Sequence, residues 1–442
     1  MKKILFSIAA LAVAFGFTAC SSEDEAPNNV KDGKTTVMAM TETGTRTALA
    51  DDGEGAYDVV WSDSDKITIG GKEFTLTEGE GKTLAKFTGT ALADGSYTAY
   101  YATTDGNVPT KQVYKDGAIS NFPMTATATV TDGNISPLSF RNVGGLLQLT
   151  VTNPGTEIYK LAGFTFNASG LAKPYTLVCE DLEWAQLDDK IVFNLALPEG
   201  NYSNVVITLY DSEYRTCVKT LKSGSLSINR SQITKASFSL KEDTNFSYPE
   251  ISYESPVGSV GMIDGRVGIL AQFNIYGFTN IPFIIAAMNE GATSMTDGAG
   301  SEDKDAACYG DYKSSEECLE YKTQSGWALM TSGEFEDILY YNTDPFEKWF
   351  VKGNYVGHIV NVTDMVKVYF PAAGVVSDSE NKFTGESGWY ALCGPKREGK
   401  YTIDAFYCGD GASNNGCSKQ TWAEIKSHFS YPAFSLRLYY YD

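Results

Sequence analysis

Histidine is almost absent from this chain: His358 and His428 are the only two among 442 residues. Neither stands near a cysteine at zinc-ligand spacing, and no Cys-x-x-Cys occurs. A zinc module and a thioredoxin-type redox pair are therefore unsupported. Cations are scarce as well. Lys and Arg total 35 against 55 acids, for a net charge of −20. Such a surface repels a nucleic-acid duplex, so nucleic acid is not an expected partner. A dinucleotide fingerprint is missing. Gly394 to Gly399-Lys400 has phosphate-loop spacing, but Tyr401 stands where a magnesium-binding Ser or Thr is needed, so a chance turn is the reading kept. His358 lacks an evident partner for nucleophilic catalysis. Asp51-Asp52-Gly53-Glu54 departs from calcium-loop spacing and reads as a solvated turn. No enzyme, cofactor or metal site is expected.

What is present points to β structure. Tyr is abundant at 27 and Gly at 42, and short Tyr-, Thr- and Val-rich runs alternate with Gly- and Asp-containing turns. From Thr35 to Met40 onward such runs recur about every ten residues, as in Lys66–Ile69, Glu73–Leu76, Ala85–Gly89 and Gly95–Tyr101, the spacing of an all-β sandwich or barrel. A second block holds Leu146–Val151, Ala162–Phe166, Val192–Leu195, Val205–Leu209 and Ala236–Leu240. Lys241 to Asn245 then reads as a linker. After Ile251 the texture changes: four of the six tryptophans appear, and Thr331-Ser332-Gly333-Glu334 forms a capping box before Phe335, Ile338 and Leu339. The stretch Phe434–Tyr440 alternates like one closing strand. An α+β domain of about 190 residues is the expectation for this last part.

The amino terminus carries Lys2 and Lys3, then a mostly apolar run from Ile4 to Phe17. As a helix it would span about 21 Å, short of the roughly 30 Å hydrocarbon core, so a signal peptide over residues 1–19 is favoured over a membrane anchor. Phe17-Thr18-Ala19-Cys20 resembles a lipobox, which implies lipidation of Cys20; the alternative is an ordinary secretory peptide. Acyl chains at Cys20 would hold the protein to a membrane stably. Ser22-Glu23-Asp24-Glu25 resembles the export signal of bacteroidetes-type lipoproteins sent to the outer face of the outer membrane. Residues 20–34 read as an acidic linker. With Cys20 taken by lipid, seven cysteines remain. An exported context permits Cys179–Cys217 or Cys308–Cys318 pairs, and buried free thiols stand as the alternative.

Two resemblances cover almost all the mature chain. Thr45-Arg46-Thr47-Ala48-Leu49, Val60-Trp61-Ser62 through Asp65-Lys66-Ile67, Phe140 to Leu147, and Ile228 to Ala236 resemble the fimbrillin-like family of Bacteroidota pili. That implies two transthyretin-like β-sandwiches, over 35–138 and 139–243. It also implies cleavage after an arginine, here Arg46 before Thr47, so that a strand from another pilin subunit replaces the first one. An ordinary exposed loop arginine is the competing reading. Ala287 to Thr293, Tyr309-Gly310-Asp311-Tyr312, Gly326 to Thr331, Phe370 to Gly374 and Gly388-Trp389-Tyr390 resemble a major paralogous domain of C-type-lectin-like fold, over 246–442. Departures exist: Met330-Thr331 replaces Pro-Thr, and Tyr390-Ala391-Leu392-Cys393 replaces Tyr-Trp-Ser-Ser. Formylglycine-generating relatives use a cysteine pair, yet nothing around Cys393 and Cys408 matches.

The expectation is thus a mainly β surface lipoprotein of the fimbrium, a tip or minor pilin anchored at the outer membrane. Other pilins and a glycan or protein ligand would be its partners. For that ligand the candidate aromatics are Trp349, Tyr401, Tyr407 and Trp422; Trp327 and Trp389 are assigned to the core. A non-polymerising glycan-binding lipoprotein is the alternative.

Overall fold

The computed structural model describes residues 33–41, 60–114, 122–179, 183–221, 225–240, 246–275, 278–289, 292, 312–321, 326–341, 346–352, 355–371, 375–377, 380–382, 386–397, 400–409, 417–428, 433–435 and 438–441. Cys20, Ser22 to Glu25, Arg46, Thr47 and Cys308 lie outside them. Strands dominate, and no helix among the described residues is long and apolar enough to cross a membrane.

The first unit comprises β1 (Lys34–Thr41), β2 (Lys66–Ile69), β3 (Lys72–Glu78), β4 (Leu84–Thr90), β5 (Gly95–Tyr101), β6 (Lys111–Val113), β7 (Met124–Thr131), β8 (Asn134–Ile135) and β9 (Leu138–Asn142). All but β6 join one sheet in the order β5-β2-β3-β4-β1-β9-β7-β8, and β5 also pairs with β7, which closes the ring. Ring closure removes the free edges that a flat sheet would expose. The β2–β3 hairpin turns on Gly70 and Gly71, with φ of 57° and 77°. This left-handed pair suits a tight hairpin turn and is open to glycine without steric cost. Alternate residues such as Ile67, Ile69, Phe74, Phe87 and Phe140 fill the interior.

The second unit comprises β10 (Gly144–Thr152), β11 (Tyr159–Asn167), β12 (Tyr175–Val178), β13 (Ala185–Leu187), β14 (Lys190–Pro198), β15 (Gly200–Tyr202), β16 (Val206–Asp211), β17 (Thr216–Thr220), β18 (Leu226–Ile228) and β19 (Ile233–Ser239). A sheet β14-β10-β19 and a sheet β17-β16-β11-β12-β6 share one core of Leu147, Leu149, Phe164, Phe166, Phe193 and Leu209. Strand β6, which the sequence division places with the first unit, runs parallel to β12 here. Gln112 beside it donates to the Ala196 carbonyl at 2.8 Å and accepts from the Ala196 amide at 2.8 Å. Strand β6 therefore joins the sheet of the second unit.

The remaining strands are β20 (Val260–Ile263), β21 (Arg266–Ile275), β22 (Phe278–Ala286), β23 (Tyr312–Ser314), β24 (Gly326–Ala328), β25 (Phe346–Lys352), β26 (Tyr355–Asn361), β27 (Lys367–Pro371), β28 (Val375–Ser377), β29 (Glu380–Lys382), β30 (Ser387–Arg397), β31 (Lys400–Gly409), β32 (Cys417–Gln420), β33 (Ala433–Ser435) and β34 (Tyr439–Tyr441). Helices are α1 (Ser315–Cys318), α2 (Ser332–Tyr341) and α3 (Trp422–His428). The strands form a five-stranded sheet β20-β21-β22-β34-β24, a larger sheet containing β30, β31 and β32, and a three-stranded sheet β25-β26-β27. The capping box holds: the Thr331 amide and hydroxyl donate to Glu334 at 3.0 and 2.7 Å, and the Glu334 amide donates back at 3.2 Å. Thr421 and Glu424 repeat it at the start of α3. The expected single closing strand Phe434–Tyr440 is instead two short strands in different sheets, β33 beside β23 and β34 between β22 and β24.

A continuous core crosses from the second unit to the third. Ala162, Val178 and Tyr214 cluster with Val260, Met365, Tyr369 and Phe370. Tyr214 is the wedge. It sits in the left-handed region at φ 57°, on a turn that Asp211 organises by accepting from the amides of Glu213 and Arg215 at 3.0 and 2.8 Å. Its hydroxyl meets that of Tyr369 at 3.2 Å and accepts from the Lys367 amide at 3.2 Å, with the two rings stacked at 6.5 Å. Truncating a buried aromatic costs about 3–5 kcal/mol, and removing a hydroxyl so that its buried partners go unpaired about 1–3 kcal/mol. Urea titration of the whole chain is expected to show Tyr214→Ala losing about 3–5 kcal/mol and Tyr214→Phe about 1–3 kcal/mol.

Candidate strand-acceptor site

Strand β1 occupies the site. Its sequence Lys-Thr-Thr-Val-Met-Ala-Met-Thr alternates, so Thr35, Val37, Ala39 and Thr41 point inward and are buried, while Met40 is exposed. Antiparallel register to β4 sets Val37 opposite Phe87 and Ala39 opposite Ala85. Parallel register to β9 sets Ala39 opposite Leu138 and Thr41 opposite Phe140. Further bonds fix the ends. The Thr41 amide donates to the Thr83 carbonyl at 3.0 Å, and the Ala91 amide to the Gly33 carbonyl at 2.9 Å. The Thr35 hydroxyl donates to the Gly133 carbonyl at 3.3 Å, and the Thr36 and Thr88 hydroxyls meet at 3.0 Å on the outer face.

Trp61 forms the floor. Its ring stands edge-on to Phe87 at 4.9 Å and to Phe140 at 5.7 Å, one from each strand that flanks β1. Its indole N–H donates to the Thr83 carbonyl at 3.2 Å, the group that also receives the Thr41 amide. Beside it, Tyr101 is edge-on to Trp61 at 5.3 Å and donates its hydroxyl to Asp65 at 3.0 Å, while the Ser62 amide donates to the same carboxylate at 2.7 Å. Burial raises the Asp65 carboxyl above its ordinary range against the pull of those two donors. Burial, then the Asp65 charge, raises the Tyr101 phenol. Removing β1 would leave β4 and β9 with unpaired N–H and C=O groups and open a trough over Trp61.

Strand β10 holds the corresponding place in the second unit, antiparallel to β14 and parallel to β19. It is seated differently. A methyl group at Gly144 or Gly145 would run into the carbonyls of Leu197 and Asn229, so close backbone approach locks β10 in. Strand β1 contains no glycine, and it is seated by ladder pairing to β4 and β9 and by its alternate buried side chains.

The proposed ligand aromatics are carried by three elements, β25, β31 and α3. Trp349 lies on β25 opposite His358, Tyr401 on β31 opposite Lys396, and Trp422 opens α3. Tyr407 packs at 4.9 Å against Trp389, beside the buried Cys393 and Ile403. Trp389 and Trp327 belong to packed clusters, as the sequence reading assigned them. Gly394 to Lys400 is the hairpin between β30 and β31, with Arg397 opposite Lys400; it is not a strand-to-helix phosphate loop. Cys179 and Cys318 are free thiols, so neither the Cys179–Cys217 nor the Cys308–Cys318 bridge forms. Desolvation pushes Cys179 up to about 11 and Cys318 up to about 12. Sequence reasoning missed Trp61 as the floor, although Val60-Trp61 following a Thr- and Ala-containing first strand was its signal.

No family model matches the chain, and no curated protein matches it. Among solved structures, it is similar to a candidate cell adhesion protein from Bacteroides fragilis, at 12% identity over 50% of this chain and 99% of that one, with a TM-score of 0.28. A candidate cell adhesion protein from Bacteroides uniformis gives 14% identity over 49% and 95%, with a TM-score of 0.28. A fimbrial protein from Bacteroides ovatus gives 11% identity over 93% and 99%, with a TM-score of 0.25.

Two outcomes follow from the packing. Ala39 is fully buried, so Ala39→Leu overpacks the slot and should lower unfolding free energy by about 1–3 kcal/mol in urea titration. Thiols with raised pKa present little thiolate at pH 8. Iodoacetamide should therefore spare Cys179 and Cys318 in the native protein and label both after denaturation, read by peptide mass spectrometry.

Proposed function

We propose that the chain is a surface-exported lipoprotein subunit of a fimbrium. In this reading Cys20 carries the lipid, Ser22 to Glu25 direct export, and cleavage between Arg46 and Thr47 releases β1. The vacated slot then takes a strand from another pilin. The observation that supports the reading best is the contrast between β1 and β34. Strand β1 is glycine-free, seated over Trp61 by alternating small and branched side chains, and followed directly by residues 42–59, which contain Arg46. Strand β34 is committed to its own sheet, between β22 and β24, with Leu438 and Tyr439 buried. Tyr253 also donates its hydroxyl to the Tyr440 carbonyl. A subunit that receives a strand while keeping β34 in its own core fits the end of a fibre, as a tip or minor pilin.

The third unit would supply recognition of a glycan or protein ligand, and no catalytic role is assigned. Tyr407 is engaged in packing, which moves a ligand site toward the segments bearing Trp349, Tyr401 and Trp422.

Amino-terminal sequencing of protein shed from the cell surface tests assembly. A start at Thr47 is expected; a start at Cys20 in every copy would leave a tethered receptor that never polymerises. Site-specific proteolysis after Arg46 in the purified chain should red-shift and quench Trp61 emission once β1 leaves. A synthetic peptide of the β1 sequence should restore the signal, and Trp61→Phe should abolish the change. Unaltered emission after complete cleavage would show that β1 stays in place.

A further inference from the structure

We propose that Cys408 and Cys417 form a cross-strand disulfide that fastens the edge of the sheet carrying Tyr407. Strand register sets Cys408 of β31 directly opposite Cys417 of β32. Directly opposed residues of an antiparallel pair stand about 4.5–5.5 Å apart at Cα, whichever of the two pair types they occupy, and a disulfide takes roughly 4.4–6.8 Å. Both pair types therefore fit. Among the register pairs of the described strands, no other joins two cysteines: Cys217 faces Leu209, and Cys393 faces Ile403. Cys179 and Cys318 are free thiols with pKa pushed up by burial, which makes them poor competitors for oxidation.

The position gives the link a purpose. Strand β32 is four residues long and lies at the end of its sheet, paired with β31 alone. An edge strand this short is the part of a sheet most prone to fray. One of its further ties is the ion pair between Lys419 and Glu336 of α2 at 2.6 Å, with the Glu336 carboxylate half-exposed, and a partly exposed ion pair adds only modestly to stability. A link from Cys408 to Cys417 would close a ring of ten residues and hold β32, and with it the start of α3, against β31. An exported location, as in the function proposed above, keeps such a bond oxidised. Oxidation replaces two S–H bonds with one S–S bond. The two protons and two electrons pass to the disulfide of an oxidant such as oxidised glutathione, which leaves as two thiols.

The test uses the full chain, purified reduced and equilibrated with oxidised glutathione, then alkylated and digested without reduction. A peptide pair joined through Cys408 and Cys417 is expected; alkylation of both residues would overturn the proposal. The same digest of protein taken from cells tests export separately: a chain that links in glutathione but carries both thiols on the cell keeps the disulfide and removes the exported location. Melting supplies a second readout. Reductant should lower the midpoint of the oxidised chain by about 5 °C, and the double variant C408S/C417S should melt at the lower value with or without reductant. A double variant that melts with the oxidised wild type would overturn the structural role.

Discussion

Strand β1 has partners on both sides, and the first unit depends on that double pairing. β4 and β9 come from distant parts of the sequence, and β1, laid between them, completes the ring. The buried side chains of β1 are small or branched, so it resembles a filled slot more than an interlocked core. Hydrogen-bond satisfaction gives most of the demand for a strand at this place, and the pockets give a preference for which strand. The first residues of β10 must be glycine, where backbones approach closely, whereas β1 carries none. The two units thus place a strand between the same kinds of neighbour but seat it differently.

Rigidity elsewhere complements that freedom. β6 ties the first two units through backbone pairing, and Tyr214 ties the second and third through a shared apolar core. Asp211 is central to the second joint, since its carboxylate shapes the turn that presents Tyr214 and also pairs with Arg215 at 2.6 Å. Desolvation raises Asp211 while Arg215 opposes the shift. A carboxyl raised in the fold is one whose ionised form costs more there than in the unfolded chain, so that cost is relieved as pH falls toward the acid range. The joint is therefore not weakened by the titration of its own acid on moderate acidification.

Local signals in the sequence were legible where they were periodic. Gly95–Tyr101 falls on β5 as read, Leu146–Val151 lies within β10, and the Thr331 box caps α2 through the bonds its spacing demanded. The second box at Thr421 and Glu424 carries the same spacing and went unread because only two turns of helix follow it. Phe434–Tyr440 misled because alternation reports strand character but not which sheet receives it. The β6 exchange and the Tyr214 wedge have no local mark, since both depend on partners sixty or more positions away. The site was half legible: a first strand and an arginine after it could be named, whereas the aromatic floor required the register.

Parallel pairing of the opening and closing strands in each of the first two units has a mechanical consequence. β1 runs parallel to β9, and β10 to β19. Tension applied through the two ends of either unit pulls such neighbours past one another along their length. All the bonds between them then bear load together, in shear, instead of parting one after another as in an unzipping hairpin.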